Sequence, residues 1–243
     1  MGTKQEKNSI RLDKFLADAG AGTRSQVKKL ICQGRVRING EYVKKPESKL
    51  DLSSDRVELD GEPVQTEAAF VYYLLNKPAG YISATEDPRE KTVLELVPRA
   101  GRRKLFPVGR LDKDTEGLLL ITDDGELAHQ LLSPKKHVDK TYYARISGEM
   151  TPEDIRIFEE GVDIGEDKLT LPARLEILQA GDGQSEILLT ICEGKFHQVK
   201  RMVEAVGKKV TYLKRISMGG LTLPEDLKTG ECRLLTPEEL QKL

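Results

Sequence analysis

The chain has 243 residues, enough for one large domain or two modest ones, and 38% of them are hydrophobic while 33% are charged. A formal net charge of −1 argues against a uniformly basic nucleic-acid-binding protein, and three scattered cysteines without a C-x-x-C pair argue against a zinc knuckle or a disulfide framework. The sequence shows no apolar signal region and no apolar run approaching about 18 residues, so we expect a cytoplasmic protein without a membrane partner.

The N-terminal part of the chain predicts two short helices and a hairpin. Apolar residues between 12 and 19 follow the i, i+3, i+4, i+7 spacing of one helix face. Thr23 and Gln26 have the spacing of a capping box, which opens a second helix. The alternating segment 35–38 is followed by Asn39-Gly40, a strong signal for a tight hairpin turn.

Positive charge is concentrated in this region. Between Thr23 and Lys49 there are eight basic and two acidic residues, which fits either a phosphate-binding surface or an ordinary solvated face. Two helices followed by a basic hairpin resemble the S4-type RNA-binding domain. The resemblance implies that basic residues of the second helix and the hairpin contact RNA phosphates, which position RNA without reading its sequence. These residues are Arg24, Lys28, Lys29, Arg35 and Arg37.

A polar segment with a proline separates this region from the rest of the chain. We predict an S4-like α/β domain over residues 10–60, a linker over 61–69 and a second domain over 70–240. In the second domain, apolar patterns predict strands over 70–76, 118–122, 140–147, 173–178, 186–191 and 210–216, and helices over 92–97, 126–132, 152–160 and around 199–203. Strands outnumber helices and many connections are too short for crossovers, so the predicted fold class is α+β, with a mixed, mainly antiparallel sheet flanked by helices.

The most informative stretch is GRLDKDTEGLLLITDDG, residues 109–125. It predicts a polar loop, a buried strand and a closing turn, and polar loops held by a core strand are common places for functional sites. The spacing alone does not require a site. Asp112 and Thr115 could simply close a turn by hydrogen-bonding local backbone groups, and on spacing alone that interpretation is favoured.

This stretch resembles the signature of the RNA pseudouridine synthases, in the RsuA/RluB/E/F group. The resemblance extends from about Arg11 to about Leu240 and includes Asn-Lys-Pro-Ala-Gly-Tyr over 76–81 and His-Gln-Val-Lys-Arg over 197–201. It implies that Asp112 is the catalytic aspartate of an enzyme that breaks the N1–C1′ bond of a uridine and joins C5 to C1′. Such an isomerisation needs an ionised, well-held carboxylate but no redox cofactor and no metal, so we expect neither.

The resemblance also implies a cationic partner for this aspartate. The position that pairs with it corresponds to Lys200, where many relatives carry arginine, and this departure leaves Arg201 as an alternative. Both bases could instead face RNA phosphate or solvent. We expect Lys200 to keep Asp112 ionised and Arg201 to contact the substrate.

Three further residues are expected around the target nucleotide. Tyr142 matches the family's active-site tyrosine, which stacks on the target base, although plain core packing is the alternative. Leu213 corresponds to an apolar residue of the pocket, and Arg110 is expected to pair with a phosphate near the flipped nucleotide. Tyr143 points to the other face of its strand and is expected in the core.

The motifs look closest to the branch that acts on small-subunit rRNA, at a uridine equivalent to position 516. We therefore expect a monomeric enzyme whose partner is rRNA within a small-subunit assembly intermediate. One alternative is a related enzyme of large-subunit rRNA, and another is a catalytically silent assembly factor that only binds RNA. A carboxylate-pair hydrolase would require a second acid near Asp112, and Asp114 and Glu116 are too close in sequence to be assigned that role.

Overall fold

The computed structural model describes residues 9–51, 54–64, 70–98, 104–133 and 136–243. The chain divides into two compact units, with the boundary between Ala69 and Phe70. Each unit has a hydrophobic core of its own. The architecture confirms the predicted α+β class. Within the described ranges, no helix is long and apolar enough to cross a membrane.

The first unit combines two short helices with two small antiparallel sheets. Its elements are β1 (Ser9–Arg11), α1 (Leu12–Asp18), α2 (Arg24–Cys32), β2 (Val36–Ile38), β3 (Glu41–Tyr42), β4 (Lys49–Asp51), β5 (Val57–Leu59) and β6 (Glu62–Val64). Strand β1 pairs with β4, and the remaining strands form a sheet in the order β3-β2-β5-β6. Leu12 and Leu16 of α1 and Val27 and Ile31 of α2 are fully buried in the core between these elements.

Local signals set the boundaries of these elements. The predicted capping box at the start of α2 is confirmed: the Gln26 N–H donates to Thr23 Oγ1, and the Thr23 N–H donates to Gln26 Oε1 at 2.8 Å. The hairpin between β2 and β3 is also confirmed, with Asn39 and Gly40 at φ of 53° and 85°. Positive φ at both central residues is the signature of the tight turn that matches the twist of paired strands.

The predicted linker needs a correction at its beginning. Glu62–Val64 forms β6, which pairs with β5 and so belongs to the sheet of the first unit. The turn between the two strands is Asp60-Gly61, again with positive φ at both positions. Pro63 is compatible with this strand because β6 lies at the sheet edge, where a missing N–H donor is tolerated. The rest of the predicted linker, residues 65–69, lies outside the described residues.

The second unit is built on one large sheet. Its strands are β7 (Tyr72–Lys77), β8 (Phe106–Pro107), β9 (Glu116–Thr122), β10 (Lys140–Ser147), β11 (Arg174–Gly181), β12 (Gln184–Ile191), β13 (Lys209–Met218), β14 (Leu221–Thr222) and β15 (Cys232–Leu234). Its helices are α3 (Gly125–Leu132), α4 (Pro152–Glu160), α5 (Gln198–Ala205) and α6 (Pro237–Leu240), with a 3-10 helix over Val93–Leu96.

The sheet order is β11-β12-β10-β13-β9-β7-β15, with β14 added to β13 and β8 added to β9. Among these strands, β9 and β13 run parallel and the other pairs are antiparallel. Strand β9 is buried on both faces: Leu119 and Ile121 join the core that contains residues of α4 and α5, whereas Leu118 and Leu120 join the core that contains residues of α3. Covering both faces explains the continuous apolar run of this strand.

Gly117 lies where β9 meets β13. It is opposite Arg215 in the parallel register and has a φ of +101°. A Cβ at this position would lie 2.2 Å from the main-chain oxygen of Arg215, which is far inside van der Waals contact. Glycine is therefore required here both by backbone conformation and by space. The close approach fixes the end of the signature loop against β13.

Candidate active site

Asp112 lies in the loop that connects β8 to β9. The Thr115 N–H donates to the main-chain oxygen of Asp112 at 3.1 Å, and the Gly80 N–H donates to the main-chain oxygen of Lys113 at 2.7 Å. The turn is thus closed by the main chain of Asp112 rather than by its carboxylate. The Asp112 side chain remains available for contacts outside the loop.

A buried lysine holds this loop from beneath. Lys77, the last residue of β7, is fully buried, and its Nζ donates to the main-chain oxygens of Asp112 (3.0 Å), Lys113 (3.3 Å) and Thr115 (2.7 Å). The main-chain oxygen of Pro78 also lies 3.1 Å from Nζ, so the three N–H groups of the ammonium are shared among four oxygens. Burial lowers the pKa of Lys77 to about 8, although nearby carboxylates act in the opposite direction. One ammonium group therefore holds three main-chain oxygens of the loop.

Ser83 holds the loop at a second point, Leu111, which directly precedes Asp112. Its hydroxyl donates to the main-chain oxygen of Leu111, and the Leu111 N–H donates to the same hydroxyl, each at 2.9 Å. The Leu111 side chain is buried in the larger core. With its neighbour fixed by packing and by two hydrogen bonds, Asp112 has little freedom to shift.

Two residues at the start of α5 reach the carboxylate of Asp112. Lys200 Nζ lies 3.1 Å from Asp112 Oδ2, and His197 Nε2 lies 3.6 Å from Asp112 Oδ1. Lys200 Nζ also lies 2.6 Å from Asp114 Oδ1, so it bridges two carboxylates of the loop. His197 precedes the helix with a left-handed φ of 50°, and its ring stacks on the exposed ring of Phe196 at 3.8 Å.

The bridge keeps Lys200 protonated. Burial by itself would lower the pKa of Lys200, but the hydrogen bonds and charges of Asp114 and Asp112 outweigh burial and raise it. Burial likewise favours a higher pKa for Asp114, and the contact with Lys200 reverses this so that the pKa is lowered. At neutral pH the ammonium compensates negative charge on the loop directly beside Asp112.

A cleft opens next to this ion pair. A small pocket of about 70 Å³ lies beside Asp112, and several of its lining residues also line a larger cleft of about 610 Å³. The small pocket brings together Arg110, Asp112, Tyr142, Lys200 and Leu213, all of which sequence analysis places in the site. Tyr142 is nearly buried and lines both spaces, so it is at once a core residue and a wall of the cleft.

The structure does not bring Arg201 into this group. Its guanidinium pairs with Glu166 at 2.8 Å and donates to the main-chain oxygens of Phe196 and Ile164. Adjacent residues on a helix point about 100° apart, so when Lys200 faces Asp112, Arg201 faces elsewhere. The expected substrate contact of Arg201 is therefore not supported by the geometry.

The prediction that Tyr143 lies in the core is also wrong. It does point to the face of β10 opposite Tyr142, but it is only half-buried and is absent from the core clusters of the described residues. Its ring meets that of Tyr212 edge-on at 6.1 Å.

The basic residues of the first unit differ in their partners. Lys28 and Lys29 are exposed on α2, and neither forms an ion pair with another described residue. Arg24 lies 3.8 Å from the buried carboxylate of Asp13 but is largely exposed. These three residues retain positive charge that faces solvent.

The two arginines of the hairpin are engaged within the protein. Arg35 forms a two-pronged ion pair with Asp60. Arg37 lies 4.4 Å above the ring of Tyr42, donates to its hydroxyl, and is 3.8 Å from Glu58. Much of the positive charge predicted for the hairpin is thus compensated locally.

Four residues that shape the site were not predicted from the sequence. Lys77 and Ser83 hold the loop, while His197 and Asp114 surround Asp112 and Lys200. The position of Lys77 was a weak indication of its role. A lysine directly after the apolar run of a buried strand is unusual, because lysine is rarely buried without a partner. Within the described ranges, no group of three or more His, Cys, Asp or Glu side chains is arranged to hold a metal ion.

Comparison with known families shows what this arrangement belongs to. The RNA pseudouridylate synthase family model matches residues 71–205, more than half of the chain, and includes the loop of Asp112, Tyr142 and Lys200. The chain belongs to the RNA pseudouridine synthase family. An S4 domain matches residues 10–57 of this RNA pseudouridine synthase. The predicted enzyme class, an isomerase acting on RNA, and the predicted S4 domain are both confirmed.

Three relatives cover nearly the whole synthase. It is 49% identical over 235 residues to a Bacillus subtilis protein described as an uncharacterized RNA pseudouridine synthase, YtzG, covering 96% of this chain and 98% of the relative. It is 41% identical over 232 residues to ribosomal small subunit pseudouridine synthase A of Escherichia coli K12, covering 95% and 98%. It is also 41% identical over 235 residues to ribosomal large subunit pseudouridine synthase B of Bacillus subtilis, covering 96% and 95%.

Proposed function

We propose that this synthase converts one uridine of small-subunit rRNA, equivalent to position 516, into pseudouridine. It acts as a monomer in the cytoplasm, on rRNA within an assembly intermediate. The observation that carries the chemistry is the Asp112 carboxylate, paired with Lys200 in a pocket that Tyr142 also lines. The similarity to the small-subunit enzyme of Escherichia coli over nearly its whole length supports the choice of substrate.

The isomerisation conserves every atom of the uridine. The N1–C1′ bond breaks, the uracil turns within the pocket, C5 bonds to C1′, and the hydrogen lost from C5 is balanced by one gained at N1. Asp112 acts at the sugar, either by attack on C1′ or as a base at C2′, and both roles need an ionised carboxylate. Lys200 places a positive charge 3.1 Å from the carboxylate of Asp112.

The remaining residues of the pocket hold the nucleotide. The ring of Tyr142 provides a face on which the released base stacks, and Leu213 closes the apolar side of the pocket. Arg110 lies at the junction of pocket and cleft, where it contacts a phosphate of the flipped nucleotide. Exclusion of water by the nearly buried Tyr142 and Leu213 protects the separated base and sugar from side reactions.

In this proposal the S4 domain supplies affinity rather than chemistry. Lys28, Lys29 and Arg24 contact RNA phosphates, because their charges face solvent and are least compensated within the protein. Arg35 and Arg37 contribute less to phosphate binding because their partners Asp60 and Glu58 remain close by.

A large-subunit target is the second candidate. The chain is as similar to a large-subunit synthase as to the small-subunit enzyme of Escherichia coli, at 41% identity for both. Pseudouridine mapping in both rRNAs, from cells with and without this protein, separates the two candidates. Loss of one pseudouridine in small-subunit rRNA is expected, and loss confined to large-subunit rRNA would replace the proposed substrate.

The catalytic assignment is tested by Asp112→Asn. This variant preserves shape and removes the charge, so folding and RNA binding should persist while pseudouridine formation falls by several orders of magnitude. Asp167→Asn, at an exposed loop position, is the matched control and should keep full activity. More than about a tenth of wild-type activity in Asp112→Asn would contradict the assignment. A wild-type chain that binds rRNA but forms no pseudouridine would favour the silent assembly factor.

A further inference from the structure

One buried charged side chain of the cleft is only partly hydrogen-bonded by the residues that the structure describes. Arg215, in β13, is only 2% exposed. Its Nε donates to the main-chain oxygen of Leu118 at 2.8 Å, whereas its buried Nη2 has no hydrogen-bond partner among the described residues. Within the same ranges, no carboxylate forms an ion pair with it. Arginine stays protonated in proteins, so this is a permanent, unpaired buried charge.

Arg215 faces the space in which the reaction takes place. It is opposite Tyr142 in the register between β10 and β13, and directly opposed residues of paired strands point to the same face. Both side chains line the cleft of about 610 Å³, together with Asp112. Arg215 and the reacting carboxylate therefore line the same cleft.

A second buried cation lies beside it. Lys140 lines the same cleft, is 8% exposed, and uses its Nζ to donate to the main-chain oxygen of Val138 at 2.9 Å. Burial and the charge of Arg215 both lower the pKa of Lys140. Two neighbouring cations in a nearly buried position are costly to the folded protein unless an anion joins them.

We propose that Arg215, assisted by Lys140, binds one of the two RNA phosphates that flank the target uridine. A guanidinium matches phosphate oxygens with two parallel hydrogen bonds, and the cleft admits an anion from solvent. Binding the phosphate at this point fixes the sugar relative to Asp112, which makes Arg215 a positioning residue. The proposal rests on the proposed function to the extent that it requires the uridine in this cleft.

The test removes the phosphate charges one at a time. The probe is a short single-stranded RNA with one central uridine, in which either flanking phosphate is replaced by an uncharged methylphosphonate. Fluorescence anisotropy gives the affinity for the full-length wild type, Arg215→Met, Lys140→Met and the control Arg174→Met, whose side chain is exposed on β11. For the wild type and the control, replacing the phosphate that Arg215 binds should weaken binding by roughly ten- to a hundredfold, and any loss on replacing the other phosphate is assigned to Arg110.

Arg215→Met should bind the unmodified RNA more weakly by a similar factor, and the same replacement should then change its affinity by less than about twofold. Lys140→Met should show a smaller loss of the same kind. If Arg215→Met is as sensitive to the replacement as the wild type, the phosphate is bound elsewhere and the proposal is wrong. A loss for Arg215→Met that neither replacement reproduces would point to a base carbonyl as the ligand, and would also overturn it.

Two further measurements keep the outcome clear. Circular dichroism and thermal melting establish that each variant is folded. If Arg215→Met is not folded, Arg215→Lys takes its place. This variant keeps the positive charge and should retain only part of the sensitivity to replacement of the phosphate that Arg215 binds. Unchanged sensitivity would count against the site. The measurement is binding, which keeps the two proposals separable. Phosphate-specific binding without pseudouridine formation would refute the proposed function but not the phosphate site. Pseudouridine formation without phosphate-specific binding would refute the phosphate site but not the proposed function.

Discussion

Replacing Lys77 by methionine should change how the stability of the protein depends on pH. The pKa of Lys77 is about 8 in the folded protein, against 10.5 for an ordinary lysine. Between these values the unfolded chain binds more protons at this residue than the folded one does. The free energy of unfolding contributed by Lys77 therefore rises with pH across this window.

The size of the effect follows from the two pKa values. One pKa unit corresponds to about 1.4 kcal/mol, so the contribution of Lys77 to the free energy of unfolding should increase by roughly 2 to 3 kcal/mol between pH 7 and pH 10. Methionine fills the space of the aliphatic stem but cannot titrate. It also leaves the oxygens of Asp112, Lys113 and Thr115 without their shared donor, so activity should fall at least tenfold through displacement of the loop.

Urea denaturation of wild type, Lys77→Met and Lys168→Met at pH 7, 8, 9 and 10 provides the measurement. Lys168 is exposed, and its variant should follow the wild-type pH profile closely. The difference in unfolding free energy between wild type and Lys77→Met should widen steadily with pH. Parallel profiles for these two proteins would show that the buried ammonium carries no such penalty and would refute the reasoning.

Three other perturbations have expected outcomes. Lys200→Met should lower the rate of pseudouridine formation by roughly ten- to a hundredfold because it removes a charged hydrogen bond to Asp112, and Lys200→Arg should stay within about tenfold of wild type. Gly117→Ala should destabilise the protein by at least about 3 kcal/mol, lowering the melting temperature by about 6 °C or more, because its Cβ would collide with β13. Charge reversal of both Lys28 and Lys29 should weaken rRNA binding. It should also make the slope of log K against log salt concentration shallower by about one to two units.

Each of these has a control and a contrary result. Arg201→Met should be far more active than Lys200→Met, and the reverse order would mean that the wrong residue of the pair has been assigned. Gly125→Ala, at an unstrained helix position with open space, should leave the melting temperature nearly unchanged, and an equal loss at both glycines would contradict the steric argument. An unchanged salt slope after charge reversal on α2 would mean that its lysines form only a solvated surface.

Much of the local structure follows from the sequence because its causes are local. Hydrophobic periodicity, a capping box and the Asn39-Gly40 turn act over a few residues, and the structure places helices and strands where these signals predict them. Strands of two or three residues were missed, among them β4, β5, β6, β8, β14 and β15, since such short segments carry little periodic signal.

The sequence alone also points to Asp112, because the residues of the signature loop are contiguous in the chain. The contacts that define its environment depend on residues far away in the chain. Lys77 lies under the loop because β7 pairs with β9, and Lys200 rather than Arg201 meets Asp112 because of the orientation of α5 against the sheet. Arg215 lines the cleft because the pairing of β10 with β13 places it opposite Tyr142. Burial, pairing and the direction of a side chain are set by packing between distant segments, and therefore only the tertiary structure decided them.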